Sequence, residues 1–499
     1  MKKVFLAILL ATSILQAVAQ QNIGTYEEPW RPKFHFTPEK NWINDPNGLV
    51  YMDSTYHLFY QHNPFGNHWG HMSWGHAISK DLVHWKQLPV AIPEQKDFMI
   101  FSGCAVVDVQ NTTGFAKPGG PPPIVAIFTA HREGKNQSQY LSFSLDKGLT
   151  WTFFEGNPVL DLHKKDFRDP QVSWYAPGGF WLMTVSQPLE KQVSFFRSKD
   201  LKDWTHLSNF GPAGDTTGIW ECPGLFKVPV EGKTGTYKYV LMQSPSPYMQ
   251  YFIGEFDGKS FRSENENATV LRPDHGPDYY AAITYENLPR DMNPVSIGWI
   301  NNWNYANDIP TTPWKGSMSI PRALMVRYTD KGWRLIQKPV DAIAALEEEK
   351  GVEMKEPGNF PYSIPMAGKS WHLTVKWTVA DSDQVQIQLA KGHEQETRVG
   401  YDTKQKELFL DRSHSGSFIH PAFQKLSRYS IPMSLNHGDL KLDIYFDQSI
   451  VEVFVNDGEY VLTAQVFPDE KEEELRISSQ LSRSRVQYIR FSNLRSAWK

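Results

Sequence analysis

"SLDKGLTW", residues 144–151, reads as a tight hairpin turn that ends on an aromatic ring. Ser and Asp offer side-chain oxygens to the turn, Gly tolerates positive φ, and the Trp opens a new strand. The pattern recurs as "SKDLVHW" (79–85), "SKDLKDW" (198–204) and, more loosely, "EFDGKSF" (255–261). Each copy follows one strand-like run and precedes another, and the copies stand about 53 to 66 residues apart. Repeats of this length are a signature of propeller blades, and the closing ring fits a side chain packed between neighbouring sheets. A fifth unit fits residues 278–306. Residues 30–340 therefore read as a five-bladed β-propeller. "SLDKGLTW" also resembles the Asp-box of sialidases and other propellers; it is read here as a turn that does no chemistry.

The surrounding runs agree. "YHLFYQHNP" (56–64), "PIVAIFTAH" (123–131), "GFWLMTVSQ" (179–187) and "YKYVLMQS" (237–244) are β-rich and bounded by Gly, Pro, Asn and Asp. Sustained helical periodicity is nearly absent before residue 340. "PVDAIAALEEEK" (339–350) is the clearest helix signal, with Pro at its start, and residues 341–357 read as a helical linker. Beyond it, "WHLTVKWTV" (371–379), "QVQIQLAK" (384–391) and "RVQYIRFSNL" (485–494) alternate with period two, and "VNDGEYV" (455–461) signals a hairpin. Residues 358–499 read as a β-sandwich, so the fold class is all-β.

The 499 residues carry 13% aromatics and 17 Trp, enough for large cores. Lys2, Lys3, the apolar run Val4 to Leu15 and Ala17-Val18-Ala19 predict a signal peptide over residues 1–19, cleaved near Ala19, and an exported protein. The run is too short for a membrane span, and no Cys follows it to carry a lipid. The formal charge of −4, or −6 without Lys2 and Lys3, argues against nucleic acid as a partner. Cys104 and Cys222 are the only cysteines and are expected as buried free thiols. Asn111, Asn136 and Asn267 begin glycosylation sequons.

"NWINDPNGLVY" (41–51) places Asp45-Pro46-Asn47-Gly48, a strong turn signature, between strand formers. Asp169 likewise precedes Pro170, and Glu221 stands one residue before Cys222-Pro223. The intervals match about two blades and one blade, which predicts three acids at equivalent positions of inner strands, converging on one funnel. Turn chemistry does not explain Glu221, since Glu is not a turn residue. Converging carboxylates suit a metal or glycoside hydrolysis, which needs two carboxyl groups. No compact acidic loop suggests calcium and no His/Cys spacing suggests zinc, so neither metal nor cofactor is expected. The histidines His62, His68, His71 and His76 fit a pocket wall better than a metal site.

"WINDPNG" (42–48), "FSG" (101–103), "RDP" (168–170), "WECP" (220–223), "GWINNWNYA" (298–306) and "PWKGSMSIPR" (313–322) together resemble, in order, the family-32 glycoside hydrolases: invertases, inulinases and levanases. The resemblance covers nearly all of the chain after the signal segment, and that family's fold is a five-bladed propeller plus a β-sandwich. It implies that Asp45 is the nucleophile, Glu221 the acid/base and Asp169 the transition-state stabiliser. Donors such as Asn44 are expected to hold the Asp45 carboxyl low. Trp220, Cys222 and the two Asp are expected to keep Glu221 protonated. Retention of configuration implies carboxyl groups about 5–5.5 Å apart. Arg168 is expected to position a carboxylate or hydroxyl. Gln61, Trp69, Phe101 and Ser102 resemble fructose-pocket residues, and Trp303 resembles a residue that closes the pocket. "QYFIGEFDG" (250–258) resembles the microbial exo-inulinase and levanase branch. The implied activity is release of fructose from levan, inulin or sucrose. Endo-acting fructanase, fructosyltransferase, arabinan or xylan hydrolase and a non-catalytic fructan-binding protein are the alternatives. The sandwich is expected to cover a face of the propeller rather than to bind polysaccharide.

Overall fold

The structure is a computed structural model that describes residues 25–498 other than 267, 358–359, 366–367, 419 and 470–473. The expected signal segment and the Asn267 sequon lie outside the described residues.

Five antiparallel sheets follow one another along the chain. The first holds Asn41–Met52, Thr55–Asn63, Ser73–Ser79 and Trp85–Ile92. The second holds Met99–Val107, Ile124–His131, Ser138–Ser144 and Thr152–Phe153, and the third Arg168–Tyr175, Phe180–Gln187, Gln192–Ser198 and Thr205–Phe210. The fourth runs from Trp220–Pro229 through Tyr237–Pro245 and Gln250–Phe256 to Phe261–Ser263. The fifth combines Tyr280–Thr284, Val295–Ile300, Arg322–Thr329 and Gly332–Pro339. The first strand of each sheet packs on the first strand of the next, and the fifth returns to the first, so the inner strands close a ring. This is a β-propeller. Trp314–Lys315 adds a strand parallel to Asn41 and Trp42, sewing the end of the ring to its beginning.

Both faces of the central strands are buried, which explains the near-continuous apolar runs, while outer strands such as Thr205–Phe210 are partly exposed. In the second sheet, Val125 and Ile127 face the third sheet, while Ile124, Ala126 and Phe128 face the first. In the third, Trp181, Met183 and Val185 face back, while Phe180 and Leu182 face the fourth. Each fully buried side chain of this size contributes about 1.5–3 kcal/mol. The repeated turns join the third and fourth strands. Asp81 Oδ1 accepts from the N–H groups of Val83 (3.0 Å) and His84 (2.8 Å), and Asp200 Oδ1 accepts likewise from Lys202 and Asp203 (both 3.0 Å). The rings that follow, Trp85, Trp151, Trp204 and Phe261, each pack in the cluster shared with the preceding sheet.

Val352–Lys355, Ser370–Thr378, Asp439–Asp447, Ile450–Val455, Tyr460–Gln465 and Arg485–Asn493 form one six-stranded sheet of a β-sandwich. Tyr362–Pro365, Gln384–Lys391, Glu396–Asp402, Glu407–His414, Arg428–Pro432 and Glu474–Ser479 form the other. Leu373, Val375, Ile387, Val399, Leu442 and Val453 are among the residues between them. The helix expected over 339–350 is a 3-10 turn, Asp341–Leu346, because Ile343 and Leu346 are pulled into the core there. Inside the expected linker, Val352–Lys355 is an edge strand paired with Arg485–Asn493.

The sandwich meets the propeller through buried ionic contacts. His35 Nδ1 lies 2.9 Å from Asp447 Oδ2, and its Nε2 lies 3.0 Å from Glu452 Oε1. Glu452 also takes Arg322 Nη2 (2.5 Å) and the Ile320 N–H (2.6 Å). Arg412 Nη1 donates to Asp278 Oδ2 (2.6 Å), and its Nη2 donates to the Tyr305 hydroxyl (2.9 Å).

Candidate active site

Asp45-Pro46-Asn47-Gly48 is not a turn but lies inside the inner strand Asn41–Met52. Its turn-type conformations make bulges instead. Asn44 and Asp45 together oppose the single residue Gln61, since Ile43 pairs with His62 and Pro46 with Tyr60. A second irregularity follows between Asn47 and Val50, where Gly48 takes φ +51°.

Every inner strand carries the same bulge. Phe101-Ser102 oppose Thr129, Asp169-Pro170 oppose Val185, Cys222-Pro223 oppose Gln243, and Ala281-Ala282 oppose Gly298. The first bulge residue is left-handed at Asp169 (φ +64°), Cys222 (φ +49°) and Ala281 (φ +53°). The acids are therefore not at equivalent positions, as the intervals suggested. Asp45 is the second bulge residue of its strand, Asp169 the first, and Glu221 the residue just before. The three acids thus stand at three different register positions, on the first, third and fourth inner strands.

All ten residues singled out from the sequence line one pocket of about 420 Å³: Asn44, Asp45, Gln61, Trp69, Phe101, Ser102, Arg168, Asp169, Glu221 and Trp303. Ile219, Ser246 and Asn307 complete it. The four histidines do not line it. His62 bonds the Trp42 carbonyl (2.8 Å), His76 pairs with His57 (3.0 Å), and His71 faces Glu94 (2.9 Å).

Asp45 is 8% exposed. Ser102 Oγ donates to its Oδ2 (2.6 Å) and Asn44 Nδ2 to its Oδ1 (3.0 Å). Trp42 Nε1 in turn fixes Asn44 by donating to Oδ1 (2.7 Å). Burial pushes the Asp45 carboxyl above its ordinary value, with the Glu221 charge adding to it; Ser102 and Asn44 oppose the rise without cancelling it. The low value expected from the donors alone is thus overturned by desolvation. Asp169, 3% exposed, accepts from the Cys222 N–H (3.0 Å), while its own N–H donates to Thr129 Oγ1 (3.0 Å). Burial and the charges of Glu221 and Asp45, opposed by Arg168, raise Asp169 to about 7. Asp169 is thus only partly ionised near neutral pH.

Glu221 is held by Arg168, whose Nη2 lies 3.0 Å from Oε1, and by the Tyr280 hydroxyl, which donates to Oε2 (2.6 Å). Arg168 also reaches Asp166 (2.9 Å) and lies 4.0 Å from Asp169. Burial and the Glu221 charge lift the Tyr280 phenol well above its ordinary value, so it stays a donor. Tyr280 occupies, on the fifth inner strand, the register position that Glu221 and Arg168 hold on theirs. Aligning the "DYYAAITY" unit on the "WECP" unit was the signal that could have found it. Cys104 and Cys222 are buried free thiols; the Cys222 sulfur lies 3.5 Å from Asp45 Oδ2. Burial drives both thiols up, away from reactivity.

Comparison with known proteins matches this geometry. Residues 35–339 match the model of the glycosyl hydrolases family 32 N-terminal domain, and residues 338–493 match the family 32 C-terminal model. The chain is 40% identical to a levanase of Bacillus subtilis, over 100% of this chain and 76% of that protein. It is 36% identical to an extracellular exo-inulinase of Aspergillus awamori, over 94% and 95% of the two chains. The crystal structure of the A. awamori exo-inulinase superposes with a TM-score of 0.88 at 35% identity, covering 95% of this chain and 100% of that one. A β-fructofuranosidase from Schwanniomyces occidentalis, complexed with fructosyl-erythritol, gives 0.86 at 30% identity, covering 95% and 99%. With both halves of the fold matched and the carboxyl trio in place, the chain belongs to glycosyl hydrolase family 32.

Proposed function

We propose that this glycoside hydrolase is an exported, exo-acting β-fructosidase that releases fructose from levan or inulin, and from sucrose, with retention of configuration. The convergence of Asp45, Asp169 and Glu221 in one pocket carries this reading. The names of the relatives, levanase and exo-inulinase, support the substrate class. The exo-inulinase names of several relatives support exo action.

The terminal fructofuranosyl ring lies in this pocket, with Gln61, Phe101 and Ser102 around it. Asp45 attacks the anomeric carbon as the glycosidic C–O bond breaks, and Glu221 gives its proton to the leaving oxygen. Ring hydroxyls that donate to Asp169 favour its ionised form, which stabilises the oxocarbenium-like charge. Water then attacks the fructosyl–Asp45 ester. Glu221 takes its proton, fructose departs and the Asp45 carboxylate is restored. Arg168 and Tyr280 keep Glu221 aimed at the leaving oxygen.

Product analysis on levan, inulin and sucrose tests the reading, with Asp45→Ala and Glu221→Ala in parallel. Free fructose as the product released from levan and inulin, and fructose with equimolar glucose from sucrose, is expected, lost by at least about 10³-fold in both variants. With an activated aryl β-fructofuranoside, azide should give a fructosyl azide of retained configuration in Glu221→Ala and of inverted configuration in Asp45→Ala. Oligofructosides as products would overturn exo action, and inactivity of the folded protein on every fructan would overturn the activity itself.

A further inference from the structure

The rim of the pocket contains a donor that the reaction above does not use. Asn307 lines the pocket from the 3-10 turn Ala306–Asp308 and is exposed. Its Oδ1 accepts the backbone N–H of Trp69 (3.0 Å), which belongs to the first sheet's side of the pocket. A backbone N–H only donates, so this bond fixes the amide's orientation and leaves Nδ2 as a directed donor. Beside it, Trp69 is 41% exposed and sets its indole edge-on to Phe101 (6.1 Å). A free amide donor next to an open indole face is the combination that recognises a sugar: hydroxyls for one, an apolar ring face for the other.

The turn carrying Asn307 is held by contacts on both sides. Lys315 Nζ donates to the Asn307 carbonyl (2.5 Å). Tyr305, two residues before, is buried, donates to Asp278 Oδ1 (2.5 Å) and accepts from Arg412 of the sandwich (2.9 Å). Tyr305 also packs edge-on against Phe423 (5.3 Å) of the sandwich. The donor's place is thus set from the second half of the chain.

Which sugar it meets follows from depth. The Asp169 side chain is 5% exposed and that of Glu221 is 20%. The acid that protonates the leaving oxygen therefore lies nearer the mouth than Asp169, and Asn307 and Trp69 are more exposed still. We infer that Asn307 is a substrate-binding and specificity residue for the leaving-group sugar, its Nδ2 donating to a hydroxyl of that sugar, on a turn keyed in place by Arg412. This rests on the fructosidase reading.

The test compares kcat/KM on a sucrose-type oligofructoside with kcat/KM on an aryl β-fructofuranoside, whose leaving group carries no sugar hydroxyls. Asn307→Asp keeps the acceptor for the Trp69 N–H and removes the donor; Asn307→Ala removes both. In each, the ratio of oligofructoside to aryl-fructoside kcat/KM should fall by about 3–10-fold, the net worth of one neutral hydrogen bond. An unchanged ratio in Asn307→Asp, whether both substrates suffer equally or neither does, overturns the inference. A wild-type protein that cleaves neither substrate overturns the fructosidase reading instead.

Discussion

Replacing His35 by Gln probes the ionic seam between propeller and sandwich. His35 is buried between Asp447 and Glu452. Burial alone disfavours the imidazolium, but the two carboxylates outweigh it and lift the histidine from its ordinary value of 6.5 to about 9. Because the folded-state value lies above the unfolded one, the stabilisation is complete below about pH 6.5 and disappears as pH rises through 9. A displacement of about 2.5 units at 1.36 kcal/mol each gives about 3 kcal/mol below pH 6, roughly 2–3 at pH 7 and almost nothing at pH 10. His35→Gln forfeits this contribution and adds a packing cost that does not depend on pH. Urea unfolding followed by Trp fluorescence at pH 6, 7 and 10 measures the difference between the two proteins. That difference should shrink by about 3 kcal/mol from pH 6 to pH 10. A constant difference across the three pH values would refute the account, because it would mean that His35 is not charged in the fold.

Tyr280→Phe should lower kcat/KM by about 10–100-fold, the worth of a hydrogen bond to a charged group, while leaving the urea midpoint nearly unchanged; an unaltered pH–rate profile would remove Tyr280 from the site. Arg412→Ala leaves the Asp278 charge buried without its partner and should cost about 3–5 kcal/mol in urea unfolding. Gly48→Ala should cost more than about 1 kcal/mol, because φ is +51° and the added methyl would sit 2.8 Å from the Phe59 ring; thermal melting checks it. Iodoacetamide should modify neither cysteine in the native protein and both in guanidinium without reductant; resistance in guanidinium would reveal a disulfide.

Much of the fold was legible because its signals are local. The Ser-Asp turns, the rings that follow them and the apolar runs of central strands buried on both faces all lie within a few residues of one another. The acids were legible as a set, since a Pro one or two residues after each lies in the bulge or just past it. Their different register positions were not, because a bulge is defined by which residue of the partner strand stands opposite, and that register is absent from the strand's own sequence. The same limit turned Asp45-Pro46-Asn47-Gly48 from a turn into a doubly bulged strand. The connector misled for the opposite reason: its helical propensity is real, but Ile343 and Leu346 anchor it to the core at a 3-10 pitch. Ser246 and Asn307 reach the pocket from loops that follow strands of the fourth and fifth sheets, and loops carry little periodicity to read.

The parallel pairing of Trp314–Lys315 with Asn41 and Trp42 governs the order in which the molecule can assemble. The strand bearing Asp45 leaves the ribosome early, yet one of its edges stays unpaired until almost the whole ring has been synthesised. Closing so long a loop is slow and of high contact order, so ring closure is expected to be the late, rate-limiting event of folding. Until then the Asn41–Trp42 end of the strand offers bare backbone to any passing chain, which makes this step a point exposed to aggregation. A chain stopped short of Trp314 carries Asp45 but lacks the closed ring around it.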